Sequence, residues 1–202
     1  MRSLVSVFDA SLVSVSDEFM MRLRCDSQSF SFYADLSRYI CKFLLGHETL
    51  SVLDVGPRTG AGLALLRMMH HPLAFTRLKF APVVGIDLDP EFQRIAETEF
   101  RDIRAITGDI FDLAPKSYDI VTCSHTIEHI PEPEPFLEQL TRLGRRALFI
   151  ACPFEEQNRI PGHCVTIDHA FFDKFQFDDV EVYESQQWHN GLACLAYKKL
   201  GE

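Results

Sequence analysis

The sequence predicts an α/β fold in which helices cover both faces of a mostly parallel sheet. Val52, Leu53 and Val55, and then residues 83–86, form almost entirely apolar runs, which are typical of strands buried on both faces. Each run is followed by a segment with helical periodicity, and strands and helices alternate in this way to about residue 152. A doubly wound parallel sheet is therefore expected, and a length of 202 residues fits one compact domain.

The elements can be placed in order along the chain. Residues 1–28 show no clear pattern, whereas apolar residues at helical spacing between 32 and 45 predict an amphipathic helix that stops at Gly46. This divides the chain into an N-terminal helical lid segment (1–47) and a core (48–202). Core strands are expected at 51–55, 82–87, 103–107, 118–123 and 146–152, and core helices at 61–70, 90–100, 135–143 and 168–175.

Local signals fix several boundaries. Asp89 followed by Pro90 is typical of a helix start, with an N-cap and a proline at the first helical position. The run PEPEP at 131–135 is expected to delay the next helix until Pro135. The tail after residue 180 predicts two strands joined at Asn190 and Gly191, so the chain should end in an antiparallel hairpin.

Composition excludes several classes of function. The formal net charge of −9 and pI near 5.3 disfavour nucleic-acid binding, in which lysine and arginine neutralise phosphates. The six cysteines form no CxxC motif and are expected to be reduced residues of a cytoplasmic protein. No run of 18 apolar residues predicts a membrane span, and Asp9 interrupts the apolar N-terminal stretch, so we expect neither a membrane anchor nor export.

Glycines and acidic residues follow the predicted strands where a nucleoside would bind. The segment VLDVGPRTGAG carries Gly56, Gly60 and Gly62, which allow a sharp turn and close approach of the backbone to a ligand. It matches neither the G-x-G-x-x-G of NAD oxidoreductases nor a phosphate-binding loop with GK[ST]. Asp87 ends the next strand and can accept both ribose hydroxyls, and Asp109 can accept the exocyclic amine of adenine.

Each acidic residue also has a purely structural interpretation. Asp87 is favoured as a ribose ligand because Asp89 is the better helix cap. Asp109 is less clear, since it can cap the following turn and Asp112 lies close by. Asp54 either contacts a ligand or only braces the glycine loop.

These motifs together resemble the class I S-adenosylmethionine-dependent methyltransferases, particularly the small-molecule group related to ubiquinone and menaquinone biosynthesis enzymes. The resemblance covers about residues 48–200 and includes GIDLDP, GDIFDL and YDIVTCSHTIEHIPEP. It implies a Rossmann-like seven-stranded sheet with one antiparallel strand and S-adenosylmethionine as cofactor. It places Asp54 and Gly56 by the methionine moiety and Ser124 and His125 under the methyl sulfonium. The implied cofactor residues also include Pro57, Arg58, Thr59, Gly60, Gly62, Asp87, Leu88, Gly108, Asp109 and Ile110.

One position departs from the family pattern G-x-G-x-G, because Arg58 stands at the middle glycine. If the backbone there requires a positive φ, an arginine costs about 1 to 2 kcal/mol. Three interpretations of Arg58 stay open. Its side chain contacts the cofactor carboxylate, or it is a solvated loop residue, or it weakens cofactor binding and marks a non-catalytic relative.

The segment HTIEH at 125–129 matches the H-x-x-E-H pattern of inverted zinc proteases. Prolines 131, 133 and 135 follow almost at once, so the long zinc-binding helix of those proteases does not fit. A zinc-dependent hydrolase is a remote alternative, and we expect no metal ligands.

The expected function is methyl transfer to a small-molecule acceptor, at oxygen or nitrogen, by in-line displacement. A general base should be a histidine near the carboxyl edge of the sheet, and the candidates are His125, His163 and His169. The polar segment after the fifth strand is expected to line the acceptor pocket, although Asp168 can equally cap a helix. A catalytically degenerate cofactor-binding or scaffold protein is the main alternative, and the oligomeric state stays open.

Overall fold

The computed structural model describes residues 17–188 and 191–201, with side chains from residue 22 onward. It contains five α-helices and seven strands within that part of the chain. The helices are α1 (Asp17–Phe43), α2 (Ala61–Met69), α3 (Pro90–Glu99), α4 (Pro133–Leu143) and α5 (His169–Lys174). The strands are β1 (Thr49–Val55), β2 (Lys79–Asp87), β3 (Arg104–Thr107), β4 (Tyr118–Ser124), β5 (Gly144–Pro153), β6 (Asp179–Ser185) and β7 (Gly191–Lys199).

All seven strands form one sheet in the order β3-β2-β1-β4-β5-β7-β6. The first five strands in this order are parallel to one another, and β7 runs antiparallel to both β5 and β6. The predicted α/β, Rossmann-like sheet with a C-terminal antiparallel hairpin is therefore confirmed. The direction of winding reverses between β1 and β4, and ligands of such sheets bind in the crevice at that switch point.

Helices cover both faces of the sheet because its central strands are apolar on both sides. On β1, Val52 belongs to the core cluster that also contains α1, α2 and α3 residues, whereas Leu53 belongs to the cluster with α4 and α5. Each face therefore has its own core. Every described residue of β1 after Thr49 is buried, as expected for a central strand.

Two predicted helix starts were wrong. Helix α4 begins at Pro133 instead of Pro135, because both prolines fall in the first helical turn, where no backbone N–H has an intrahelical partner to lose. Helix α1 begins at Asp17, well before residue 32. Its first half mixes charged and apolar residues, and contacts such as the ion pair of Arg22 with Glu99 (2.6 Å) connect it to α3.

The C-terminal hairpin has the predicted antiparallel pairing, with Ser185 opposite Gly191. A short 3-10 turn (Gln186–Trp188) precedes the connection, and the predicted turn residue Asn190 lies outside the described residues, as does the pattern-free segment 1–16. Three cysteines are buried strand residues, and Cys152 and Cys194 face each other with their sulfurs 3.5 Å apart. Within residues 17–188 and 191–201, no helix has the length and apolar character needed to cross a bilayer.

Candidate functional site

The glycine loop after β1 turns through three left-handed residues. Gly56 has φ 75°, Arg58 φ 57° and Gly60 φ 84°. A Cβ atom on Gly56 would lie 2.3 Å from the Thr126 hydroxyl oxygen, so only glycine fits there. Arg58 adopts the positive φ that the glycine pattern requires, and its side chain is exposed. The loop therefore keeps the glycine path at a strain cost of about 1 kcal/mol.

The carboxylate of Asp87 anchors this loop at the carboxyl end of β2. Its Oδ2 accepts the backbone N–H of Arg58 at 3.1 Å, and its Oδ1 accepts that of Asp89 at 3.0 Å. Asp89 itself caps α3 by accepting from the Glu91 N–H at 2.9 Å, as predicted. Since an ionised carboxylate has about four lone-pair sites, each oxygen of Asp87 retains capacity to accept a ligand hydroxyl.

Asp109 caps the 3-10 turn Ile110–Asp112. Its Oδ1 accepts the backbone N–H of Phe111 at 3.0 Å, which is the structural interpretation considered from the sequence. The cap does not use Oδ2. The adjacent Gly108 donates its N–H to the Asp87 carbonyl at 2.9 Å, so the ends of β2 and β3 are held side by side.

A cavity of about 360 Å³ lies at this edge of the sheet. Its walls are mostly apolar, and the carboxylates of Asp87 and Asp109 stand among them, in the size range and composition of small-molecule sites. Predicted cofactor residues that line it are Gly56, Asp87, Leu88, Gly108, Asp109 and Ile110. Residues that the sequence prediction missed are Val55, Ile86, Phe111, Thr126, Ile130, Glu132, Pro135 and Phe136.

The rest of the glycine loop lies under helix α1 instead of lining the cavity. The Thr59 hydroxyl donates to Asp26 of α1 at 2.6 Å, and a Cβ on Gly62 would lie 2.3 Å from the Tyr33 ring. Pro57 and Gly60 are buried in the same loop. Helix α1 therefore covers the side of the loop that the family resemblance assigns to the methionine moiety.

Asp54 is fully buried beneath α1. Its Oδ2 accepts the Tyr33 hydroxyl at 2.5 Å, and its Oδ1 accepts the hydroxyl of Thr122, its register partner on β4, at 2.6 Å. Burial raises the pKa of Asp54 to about 7, against the lowering effect of the two hydroxyl donors. Burial and the neighbouring Asp54 carboxylate also raise the pKa of Tyr33 well above its ordinary value.

The residues at the end of β4 have buried polar atoms without partners. His125 has φ 51°, and its ring stacks on Phe32 of α1 with centroids 3.6 Å apart. Among the described residues, neither ring nitrogen of His125 nor the Ser124 hydroxyl has a hydrogen-bond partner. Buried polar groups in this state are costly unless a ligand satisfies them.

The segment between β5 and α5 brings one further predicted histidine to this place. His163 stacks on Trp188 with centroids 5.3 Å apart, and His125 lies 5.7 Å from the same indole. His169, in contrast, is exposed and contacts Phe154. Asp168 caps α5 by accepting a hydrogen bond from the Phe171 N–H at 2.9 Å, which is the helix cap considered from the sequence.

The HTIEH segment does not form the helix of an inverted zinc protease. Only Ile127–His129 is helical, as a single 3-10 turn, and α4 begins four residues after it. His125 precedes the turn and packs against Phe32. The two histidines of the motif therefore do not project from successive turns of one α-helix, as that zinc site requires.

Comparison with known proteins gives a consistent family. A profile described as a methyltransferase domain matches residues 53–150. A ubiquinone biosynthesis O-methyltransferase of Nitrosomonas europaea is 28% identical over 130 residues, which are 61% of this chain and 50% of that protein. Thus this chain matches about half the length of its curated relatives.

Solved structures share the fold at low sequence identity. An S-adenosylmethionine-dependent methyltransferase from Aquifex aeolicus gives a TM-score of 0.64 at 19% identity, over 93% of this chain and all of that one. A magnesium protoporphyrin IX methyltransferase from Synechocystis with bound S-adenosylhomocysteine gives a TM-score of 0.63 at 16% identity, over 93% of this chain and 89% of that one. The profile match, the curated relatives and the shared fold together support a class I methyltransferase.

The cavity residues that were missed from the sequence come mainly from one segment. Thr126, Ile130, Pro135 and Phe136 all follow β4, at the switch point of the sheet. From the sequence alone, this segment stands out mainly for its histidines. The position of this segment in the sequence could have predicted its role, since residues after the strand next to β1 must form the opposite wall of the crevice.

Proposed function

We propose that the chain transfers a methyl group from S-adenosylmethionine to a small-molecule acceptor, at oxygen or nitrogen. The observation that carries the proposal is the cavity at the switch point, where Asp87 and Asp109 stand beside a glycine loop that leaves no room for a Cβ on Gly56. A bound adenosine needs carboxylates that accept its hydrogen bonds and a backbone that can come close to it, and this edge of the sheet offers both. The match to the methyltransferase-domain profile and the bound ligand of the Synechocystis protein support the choice of cofactor.

The cavity residues divide into two roles toward this cofactor. The free lone pairs of Asp87 would accept the two ribose hydroxyls, and the Oδ2 of Asp109 would accept the adenine amine. Leu88 and Phe111, both exposed without a ligand, would cover the faces of the adenine ring. Burying such exposed apolar side chains contributes about 25 cal/mol per Å² of apolar surface.

Asp54 would receive the amino group of the methionine moiety. A buried carboxyl with a pKa of about 7 becomes fully ionised when a cation lies beside it, because an opposite charge offsets part of the cost of burial. Since Tyr33 now donates to that carboxylate, we expect α1 to adjust when the cofactor binds and to act as the lid over it. The sulfonium supplies an activated methyl group when the cofactor is bound.

His125 is the preferred general base. Its unpartnered ring nitrogens lie at the end of β4, beside the expected position of the methyl group, and Phe32 and Trp188 exclude water from the imidazole. It would take the proton from an acceptor hydroxyl or amine as the acceptor attacks in line. Its place under Phe32 means that α1 must also uncover it, which gives α1 a second reason to move. His163 stands behind Trp188 and His169 is exposed, so both are weaker candidates.

The proposal is tested first by calorimetric titration with S-adenosylmethionine and S-adenosylhomocysteine, with NAD as the unrelated adenosine ligand. Asp87→Asn should weaken binding about 100-fold, because two hydrogen bonds to a charged acceptor contribute about 1.5 kcal/mol each. Asp112→Asn is the matched control, since Asp112 is exposed in the same region and outside the cavity lining, and it should bind as the wild type does. Equal affinity of Asp87→Asn and wild type would refute the assignment of the ribose site.

Turnover separates an enzyme from a degenerate relative. Transfer of labelled methyl to a panel of small hydroxyl and amine compounds should be detected, with hydroxyl acceptors tested first because the curated relatives are O-methyltransferases. His125→Ala should lower kcat by about 100-fold or more while leaving cofactor affinity nearly unchanged. Tight cofactor binding without transfer to any acceptor of the panel would favour the scaffold alternative.

A further inference from the structure

Three potential metal ligands converge beside the proposed acceptor site. Glu128 and His129 belong to the turn after β4, and His163 comes from the segment between β5 and α5. Each offers one ligand atom, and the three atoms lie within 4.8 Å of one another. The cluster thus joins two segments that the family resemblance does not connect.

The carboxylate of Glu128 is the strongest sign that a ligand belongs here. Its side chain is 2% exposed, and within the described residues neither oxygen has a hydrogen-bond partner. His125 Nδ1 lies 3.5 Å from Glu128 Oε1 but forms no hydrogen bond with it. Because burying a carboxyl group without hydrogen-bond partners is costly, a cation is the simplest group that would satisfy it.

Both histidines of the cluster are held in the form that binds metals. His129 Nδ1 lies 2.9 Å from the Gly162 carbonyl oxygen, so this nitrogen is the donor and Nε2 carries the free lone pair. His163 Nδ1 lies 2.6 Å from Glu156 Oε2, which fixes the same tautomer. A carbonyl or carboxylate behind the ring in this way is the usual support of a metal-binding histidine.

We propose that Glu128, His129 and His163 bind a divalent transition metal of the zinc type. Two imidazole nitrogens and one carboxylate oxygen suit zinc, cobalt or nickel, whereas calcium and magnesium prefer all-oxygen sets. Three protein ligands leave one coordination position for water or another small ligand. In a tetrahedral site with bonds of about 2.0 Å the ligand atoms stand about 3.3 Å apart, so the cluster closes by up to about 1.5 Å on binding.

The charges around the cluster favour a divalent cation. Glu156 adds a second carboxylate behind His163, and its side chain is 10% exposed. The site therefore combines the buried carboxylate of Glu128 and the largely buried carboxylate of Glu156 with two imidazoles. The metal would fasten the β5–α5 segment to the turn after β4, and so hold the wall of the acceptor pocket in place.

This site is different from the zinc-protease pattern considered in the sequence. It uses the glutamate and the second histidine of HTIEH but leaves out His125, which packs under Phe32. Its third ligand comes from a distant part of the chain. The expectation that the chain has no metal ligands did not take this convergence into account.

The test is direct measurement of metal binding by the full chain, without any adenosyl ligand. Protein stripped with a chelator is titrated with Zn²⁺, and bound metal is counted by elemental analysis after gel filtration. Wild type should retain one equivalent, and His129→Ala should lose it without unfolding, because His129 is exposed. Glu156→Gln should weaken binding about 10- to 100-fold, because it alters the support of a ligand and not the ligand itself.

His47→Ala is the matched control, since His47 is an exposed histidine in the α1–β1 connection, and it should bind zinc as the wild type does. The visible spectrum of added Co²⁺ should show the intense bands of low coordination in wild type and His47→Ala but not in His129→Ala. Equal zinc stoichiometry in wild type and His129→Ala would overturn the proposal, as would equal losses in His129→Ala and His47→Ala. Because no cofactor is present, failure here leaves the methyltransferase proposal unaffected.

Discussion

Asp54→Asn should remove a large pH dependence from the stability of the protein. The buried carboxyl of Asp54 has a pKa of about 7, against 3.8 for an exposed aspartate. Between those values the native state holds a proton that the unfolded chain has released, so the free energy of unfolding falls as the pH rises. The shift of roughly 3 units corresponds to about 4 kcal/mol of stability, present below about pH 4 and lost by about pH 7.

Asparagine is the right replacement because it resembles the protonated acid in shape and charge. Its oxygen can accept from one of the two hydroxyls that now donate to Asp54, those of Tyr33 and Thr122. Its amide can donate to the oxygen of the other hydroxyl. The variant should therefore keep the local packing while it loses the ionisation.

The assay is urea unfolding of wild type and variant at intervals from about pH 4 to about pH 8. All other titrating groups are shared, so their effects cancel in the difference between the two proteins. We expect this difference to change by about 4 kcal/mol across the series, with the variant relatively more stable at the alkaline end. Parallel stability curves would refute the reasoning, because they would mean that Asp54 titrates alike in the folded and unfolded states.

Three further outcomes test the packing around the site. Gly62→Ala should destabilise the protein by about 1 to 3 kcal/mol in thermal or urea unfolding, since the added Cβ would lie 2.3 Å from the Tyr33 ring. Gly108→Ala is the control and should be tolerated, because the atom nearest to its added Cβ is 3.9 Å away. Tyr33→Phe removes one hydroxyl donor from the buried carboxylate and should cost about 1 to 3 kcal/mol above pH 7; an unchanged urea midpoint would contradict this. Although burial acts in the opposite direction, the hydrogen bonds from Arg145 and Ser51 lower the pKa of Asp119 to about 2. Asp119→Asn should therefore lower the free energy of unfolding by about 1 kcal/mol at neutral pH. If the same loss of stability persists below about pH 2, the ion pair is not its cause.

Much of the fold follows from patterns that act within one element. Val52 to Val55 is apolar at every position but Asp54, which is what a strand covered on both faces requires. The start of α3 follows from Asp89 and Pro90, because an N-cap acts on backbone groups two residues away. The start of α4 was placed two residues late, since a proline in the first turn and a proline before the helix look alike in sequence.

Part of the candidate site was also predicted from patterns within single elements. The ends of β2 and β3 carry Asp87 and Asp109, and parallel strands bring such ends to one edge. The cap formed by Asp109 and the exposure of His169 could not be decided locally. The first half of α1 gave no clear periodic signal, although Asp26 in it contacts the glycine loop.

The sequence by itself determined the α/β class, the glycine loop after β1 and the acidic residues that follow the next strands. Each of these depends on a few neighbouring residues and on the periodicity of a strand or helix. Only the tertiary structure decided that Tyr33 reaches Asp54, and that His163 joins Glu128 and His129. These contacts depend on how distant elements pack, and burial, which sets the pKa of Asp54 and the cost of an unpaired Glu128, exists only after that packing is complete.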